Sequence, residues 1–158
     1  MTFSVISIDD EAFSQDSETG VGKYIIEFFR DKGFDLDEHC LIPREEGMIS
    51  DYLMRFCDKN CSDLLITHGG AGLSQGDVVP EVTRKAIDKD LFGLGDLIRM
   101  EGSKKNSDLL LFRGISGIRN SSLIINMPAD IEEVKTCLDI IYGPSIRCID
   151  LLNNPDKY

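Results

Sequence analysis

The sequence predicts an α/β fold: a single doubly wound, mostly parallel sheet with helices on both faces. Three observations carry this. Short β-rich apolar runs alternate along the chain with segments whose apolar residues recur at helical spacing. One run, Leu64-Leu65-Ile66-Thr67, is apolar without alternation, the pattern of a strand buried on both faces. It stops at Gly69-Gly70-Ala71-Gly72, and Pro80-Glu81 opens a helix beyond Asp77. Strand, glycine loop, carboxylate and helix start together form the usual ligand position of such sheets, beyond the carboxyl end of a strand.

In chain order, Phe3 to Ile8 is the first strand and ends at Asp9-Asp10. Glu11 to Thr19 is polar and reads as a loop over the sheet's edge. From Gly20 to Lys32, Val21, Tyr24, Ile25, Phe28 and Phe29 recur at helical spacing, and Gly33 stops the helix. Phe34 to Ile42 is a second strand closed by Pro43. Glu45 to Asp58 is an amphipathic helix with Ile49, Tyr52, Leu53 and Phe56 on one face. Past the glycine loop, Val82 to Ile87 and Leu91 to Met100 read as helices. Leu109 to Phe112 reads as a strand ending on Arg113, and Ser122 to Asn126 as another, cut off by Pro128. Ile131 to Tyr142 is a helix with an acidic first turn. Gly143-Pro144 breaks it, Ser145 to Leu152 forms a last short helix, and Asn153 to Tyr158 is a frayed tail.

The 158 residues suit one domain, 1–158, with a sizeable core. A net charge of −11 argues against broad nucleic-acid or anionic-membrane binding. No apolar run approaches the roughly 20 residues needed to cross a bilayer, and the start lacks a basic, then apolar, leader. Cys40, Cys57, Cys61, Cys137 and Cys148 are odd in number and scattered. That fits reduced thiols in a cytoplasmic protein; Cys57 and Cys61 lie four apart, but no second Cys/His pair has zinc-finger spacing.

The loop's N–H groups and the following helix N-terminus suit a phosphate, and Asp77 a hard cation between phosphate oxygens. Glycines alone also fit a plain strand-to-helix turn; Asp77 and Pro80-Glu81 favour a site. Asp77 also suits a helix cap, though a site role is favoured; Glu81 equally suits a helix dipole, and Asp9 a strand end. Arg113 and Arg119 also suit surface or subunit-interface charges, Arg119 the better of the two. His68 reads as a pocket wall or buried polar residue.

The glycine loop, Asp77-Val78-Val79-Pro80-Glu81, Leu111 to Arg119 and Leu123 to Pro128 occur in order and spacing that resemble the MogA/MoaB family of molybdenum cofactor biosynthesis. The resemblance runs over nearly the whole chain. It implies molybdopterin binding, Mg²⁺-dependent adenylyl transfer from ATP, and a homo-trimer or higher homo-oligomer. It further implies catalytic roles for Asp77 and Glu81, with Asp77 holding Mg²⁺. Ligand and phosphate binding fall to Gly69, Gly70, Ala71, Gly72, Asp9, Lys104, Arg113, Asn126 and Pro128; Arg99, Gly117 and Arg119 also match.

Departures from the family pattern cluster on the same loops. Ala71 stands for a threonine, Gly76 for an arginine, Val79 for a threonine, and Arg44 for an aspartate. Gly102 and Phe112 replace serines, and Ala129 a glycine. Three readings follow: an adenylyltransferase, a MoaB-like pterin-binding or assembly protein without transfer, and a CinA-like nucleotide hydrolase.

Overall fold

The computed structural model describes residues 1–157. Six strands, β1 (Thr2–Ile8), β2 (Asp35–Ile42), β3 (Leu64–His68), β4 (Lys89–Asp90), β5 (Ser116–Arg119) and β6 (Ser122–Met127), form one sheet ordered β2-β1-β3-β6-β5-β4. The first four strands in that order are parallel, and β5 and β4 continue the sheet antiparallel. The helices are α1 (Asp10–Ser14), α2 (Gly20–Asp31), α3 (Glu46–Arg55), α4 (Val79–Ala86), α5 (Phe92–Gly102) and α6 (Ile131–Asn153).

Side chains alternate across the pleat into two cores. Phe3 and Val5 of β1 and Leu64 and Ile66 of β3 join Ile25 and Phe29 of α2 and Leu138 and Ile141 of α6. Ile6 and Ile8, with Leu65, join Ile49 and Leu53 of α3 and Val79 and Val82 of α4. Both faces are therefore buried, which is why the central strands lack hydrophobic alternation. The expected α/β class with helices on both faces holds.

Several expectations for individual elements do not hold. The polar loop at Glu11 to Thr19 begins as helix α1, because the Asp9 carboxylate caps it by accepting the Ala12 N–H at 2.8 Å. The helix expected to reach Asp58 gives way at Phe56–Asn60 to a wider π-type turn, which ends on Cys61 in the left-handed region. Leu109 to Phe112 is not a strand: Ser107–Leu111 forms a 3₁₀ turn that buries Leu109 and Phe112 and exposes Leu110 and Leu111. A short apolar run carries no period of its own, and here the three-residue repeat decided it.

Gly143-Pro144 does not break the last helix. Pro144 lies inside α6, and Ile141, Ser145 and Ile149 continue one buried stripe through it. Packing along that stripe outweighs the roughly 3 kcal/mol an interior proline costs. The tail is tied down rather than frayed: Asn153 donates to Asp63 at 2.8 Å, and Lys157 Nζ lies 2.8 Å from Asp150; Tyr158 lies outside the described residues. Strands β4 and β5 are too short to carry a strand pattern of their own. Asn120, at φ 52°, turns β5 into β6.

Candidate functional site

Register aligns Ser7 with His68 and His68 with Met127, so β1, β3 and β6 end level. Beyond these ends lie Asp9, Gly69 and Pro128. β2 and β3 flank β1 on opposite sides, so the β1–β3 boundary is a topological switch point, where open α/β sheets bind ligands. The chain turns there only because two residues lack side chains. Gly69 has φ 86°, and a Cβ on it would lie 2.3 Å from the Ile8 carbonyl oxygen; Gly70 has φ 66°, and its Cβ would lie 2.6 Å from Val79 Cγ2.

Beneath the turn is a buried polar knot. Ser7 Oγ lies 2.6 Å from His68 Nε2 and 2.9 Å from His39 Nε2, and Thr19 Oγ1 lies 3.2 Å from His68 Nε2. Burial, with the neighbouring His39, pushes the His68 imidazole down to about 4, so it is neutral at neutral pH. His68 is thus the buried polar residue expected, and it ties the end of β3 to β1 and the start of α2.

Two arginines fix the loop above. Arg113 donates to the Gly72 carbonyl at 2.8 Å and the Asp77 carbonyl at 2.6 Å, pairs with Glu81, and its main-chain N–H donates to the Ala71 carbonyl at 3.2 Å. This guanidinium holds the Glu81 carboxyl below its usual range. Asp77 does not cap α4; Oδ2 accepts from the Ser74 N–H at 2.9 Å and the Ser74 hydroxyl at 2.6 Å, and Oδ1 from Arg44 at 3.3 Å. Burial raises the Asp77 carboxyl, but Ser74 and Arg44 outweigh it and the net shift is downward.

Two clefts flank the loop. One, of about 410 Å³, is lined by Gly70, Ala71, Gly72, Asp77 and Pro128 together with Leu111, Phe112, Asp108, Asp130 and Glu133. The other, of about 330 Å³, is lined by Asp9, Asp10, Glu11, Arg44, Gly69, Gly70 and Asp77. Glu81 and Arg113 brace the loop from behind without lining either cleft. Asn126 lies beneath, buried, donating to Thr67 and Thr83 at 2.9 and 3.0 Å. Lys104 stands away from both clefts, 2.6 Å from Glu101. Arg119 pairs with Asp58 at the far end of the sheet.

Asp108, Asp130 and Glu133 were not among the sequence candidates. The acidic start of α6 was visible, but nothing in the spacing brings it to the glycine loop. Burial, with Asp130 and Asp108 nearby, raises the Glu133 carboxyl above its usual range. The donor set does not suit a divalent ion on Asp77: Oδ2 is engaged twice, Oδ1 faces a guanidinium, and no metal-holding group of three His, Cys, Asp or Glu occurs among the described residues.

Residues 4–147 match the family described as a probable molybdopterin binding domain. A molybdopterin adenylyltransferase of Helicobacter pylori (strain J99) is 37% identical over 112 residues, covering 71% of this chain and 64% of that protein. The chain thus spans just under two thirds of that relative's length. A molybdopterin adenylyltransferase of Escherichia coli (strain K12) is 29% identical over 134 residues, covering 77% of this chain and 68% of that protein. The crystal structure of the molybdopterin biosynthesis enzyme MoaB from Thermus thermophilus superposes with a TM-score of 0.88 at 28% identity, covering 96% of this chain and 95% of that one.

Proposed function

The chain belongs to the MogA/MoaB family, whose shared unit is a molybdopterin-binding domain, and on that premise we propose that it serves molybdenum cofactor biosynthesis as a molybdopterin adenylyltransferase. The observation that carries this reading is the glycine loop at the switch point, with a cleft on each side and Gly70 and Asp77 common to both. Two substrates that must meet at one phosphate fit that layout.

In the transfer, the terminal phosphate of molybdopterin attacks the α-phosphorus of ATP. A new phosphoanhydride bond forms as the α–β bond breaks, and pyrophosphate leaves. Such a reaction rests on positioning and electrostatics, so the chain need supply no base. Gly70 to Gly72 bring main-chain N–H groups to the phosphates, with Gly69 turning the chain and tied to the Met127 carbonyl, and Asp77 and Glu81 act by holding that loop in shape through Ser74, Arg44 and Arg113. Pro128 closes the cleft from β6, and Asn126 braces the floor. Magnesium belongs to this reading as an ion carried by the nucleotide. A cytoplasmic setting and a homo-trimer or larger assembly complete it. The apolar side chains exposed on α5, Phe92 and Met100, support self-association.

One observation favours a pterin-binding protein without transfer: Asp77 and Glu81 are both engaged by arginines. The two readings separate in one experiment, incubation with Mg–ATP and molybdopterin followed by assay of pyrophosphate and adenylylated pterin. Pyrophosphate release that requires molybdopterin establishes the transferase; pterin binding without release establishes the binding protein.

A further inference from the structure

The cleft between the ends of β1 and β3 holds four carboxylates and one cation, Arg44. Arg44 lies on the connection between β2 and α3, and its guanidinium is placed from two sides. The main-chain N–H donates to Asp10 Oδ1 at 2.7 Å and Nε to Asp10 Oδ2 at 3.0 Å, while Nη1 reaches Asp77 Oδ1 at 3.3 Å. Position 76 puts no side chain over it: a Cβ on Gly76 would lie 3.8 Å from Arg44 Cζ and Nη1. Of the five guanidinium N–H groups two are engaged, and both on Nη2 have no partner among the described residues. A positive charge bridging two carboxylates beside a glycine turn has the placement of a divalent ion in a nucleotide site. Here that placement belongs to a side chain whose charge does not titrate away, with a planar fork matched to pairs of phosphate oxygens.

We propose that Arg44 is the cation that receives the phosphates of the nucleotide in this cleft, and that it does so in place of a divalent ion held by the protein. The inference rests on the adenylyl-transfer reading for the identity of the nucleotide. It assigns Asp10 and Asp77 a positioning role, since their carboxylates hold the guanidinium at the mouth of the glycine turn. Arg44 in turn keeps the Asp10 carboxyl below its usual range through its main-chain N–H and side chain, so the arrangement persists through the neutral range.

The test is calorimetric titration of ATP into the full chain, once with Mg²⁺ and once with EDTA, for wild type, Arg44→Ala and Arg44→Lys. Wild type is expected to bind ATP in EDTA within about threefold of its affinity with Mg²⁺, because the guanidinium supplies the charge. Arg44→Ala is expected to weaken binding in EDTA by about tenfold or more, the scale of a lost charge-assisted contact. Arg44→Lys keeps the charge without the fork and falls between them; it decides the matter if the alanine variant fails to fold. Wild type that needs Mg²⁺ to bind ATP, or variants that equal wild type in EDTA, overturn the role of Arg44 while leaving transfer from Mg–ATP standing. Wild type that binds ATP in neither buffer overturns the adenylyl-transfer reading and this inference together.

Discussion

The two clefts that flank the glycine loop share Gly70, Asp77 and Ala129, yet their other walls differ in chemistry. On the β1 side a fixed guanidinium stands among carboxylates. On the α6 side Asp108, Asp130 and Glu133 face Leu73, Leu111 and Phe112, with no Lys or Arg among the lining residues. The contrast shows that the net charge of −11 says little about which ligand each cleft receives. On the role proposed for Arg44, a phosphate meets a directed guanidinium in the first cleft and only carboxylates in the second. Carboxylates on an apolar wall instead accept hydrogen bonds from a flat heterocycle bearing N–H groups, as a pterin does. On the proposed function, nucleotide phosphates take the first cleft and the pterin ring the second, and they meet above Gly70.

The comparison breaks most severely if the shared floor is not a rigid turn. Gly69→Ala forces a side chain into the left-handed region and against the Ile8 carbonyl. It is expected to cost about 3 kcal/mol or more in urea unfolding. A variant with wild-type stability would show that the floor adapts and that the clefts are not held apart.

Next comes the knot beneath that floor. His68 titrates near 4 in the fold against an ordinary value of 6.5, so the unfolded chain takes up the proton first as pH falls. The associated stability is fully present above the ordinary value and is lost between there and pH 4, up to about 3 kcal/mol. His68→Gln should therefore flatten the decline in stability between pH 7 and 4.5. His39, lowered by burial, and Asp10, Asp77 and Glu81, each held below its usual range, are common to both proteins. An unchanged slope would remove His68 from the support of the loop.

Much of this was legible in the sequence, because the signals are local. A non-alternating apolar run, glycines with positive φ and a proline in the first helical turn each need only their neighbours. The rest depends on residues distant in sequence. Arg44 and Gly76 read as separate departures from the family pattern but lie against each other, so the guanidinium absent from one position is supplied nearby from another. Arg113 has the look of a free phosphate ligand but clamps carbonyls and Glu81, and Asn126 braces the floor instead of lining it. Glu133 reaches the cleft only because α6 packs where it does. β5 is not legible because four residues around Gly117 carry no strand pattern without β6 to pair with.

Two smaller effects sharpen the division between clefts. Glu133→Gln is expected to weaken molybdopterin binding by about tenfold, the scale of a hydrogen bond to a charged acceptor, with ATP affinity unchanged. Equal loss for both ligands would mean that the clefts are one site. Lys104→Ala, outside both clefts, is expected to change stability by less than about 0.5 kcal/mol and to leave both affinities alone. A drop in either affinity would place Lys104 in the site after all.

The most direct test is to titrate molybdopterin into the protein with and without a saturating, non-hydrolysable ATP analogue. The two-cleft account expects molybdopterin to bind in both cases, giving a ternary complex poised for transfer. Loss of pterin binding when the analogue is present would mean that both ligands occupy one pocket, and would contradict it.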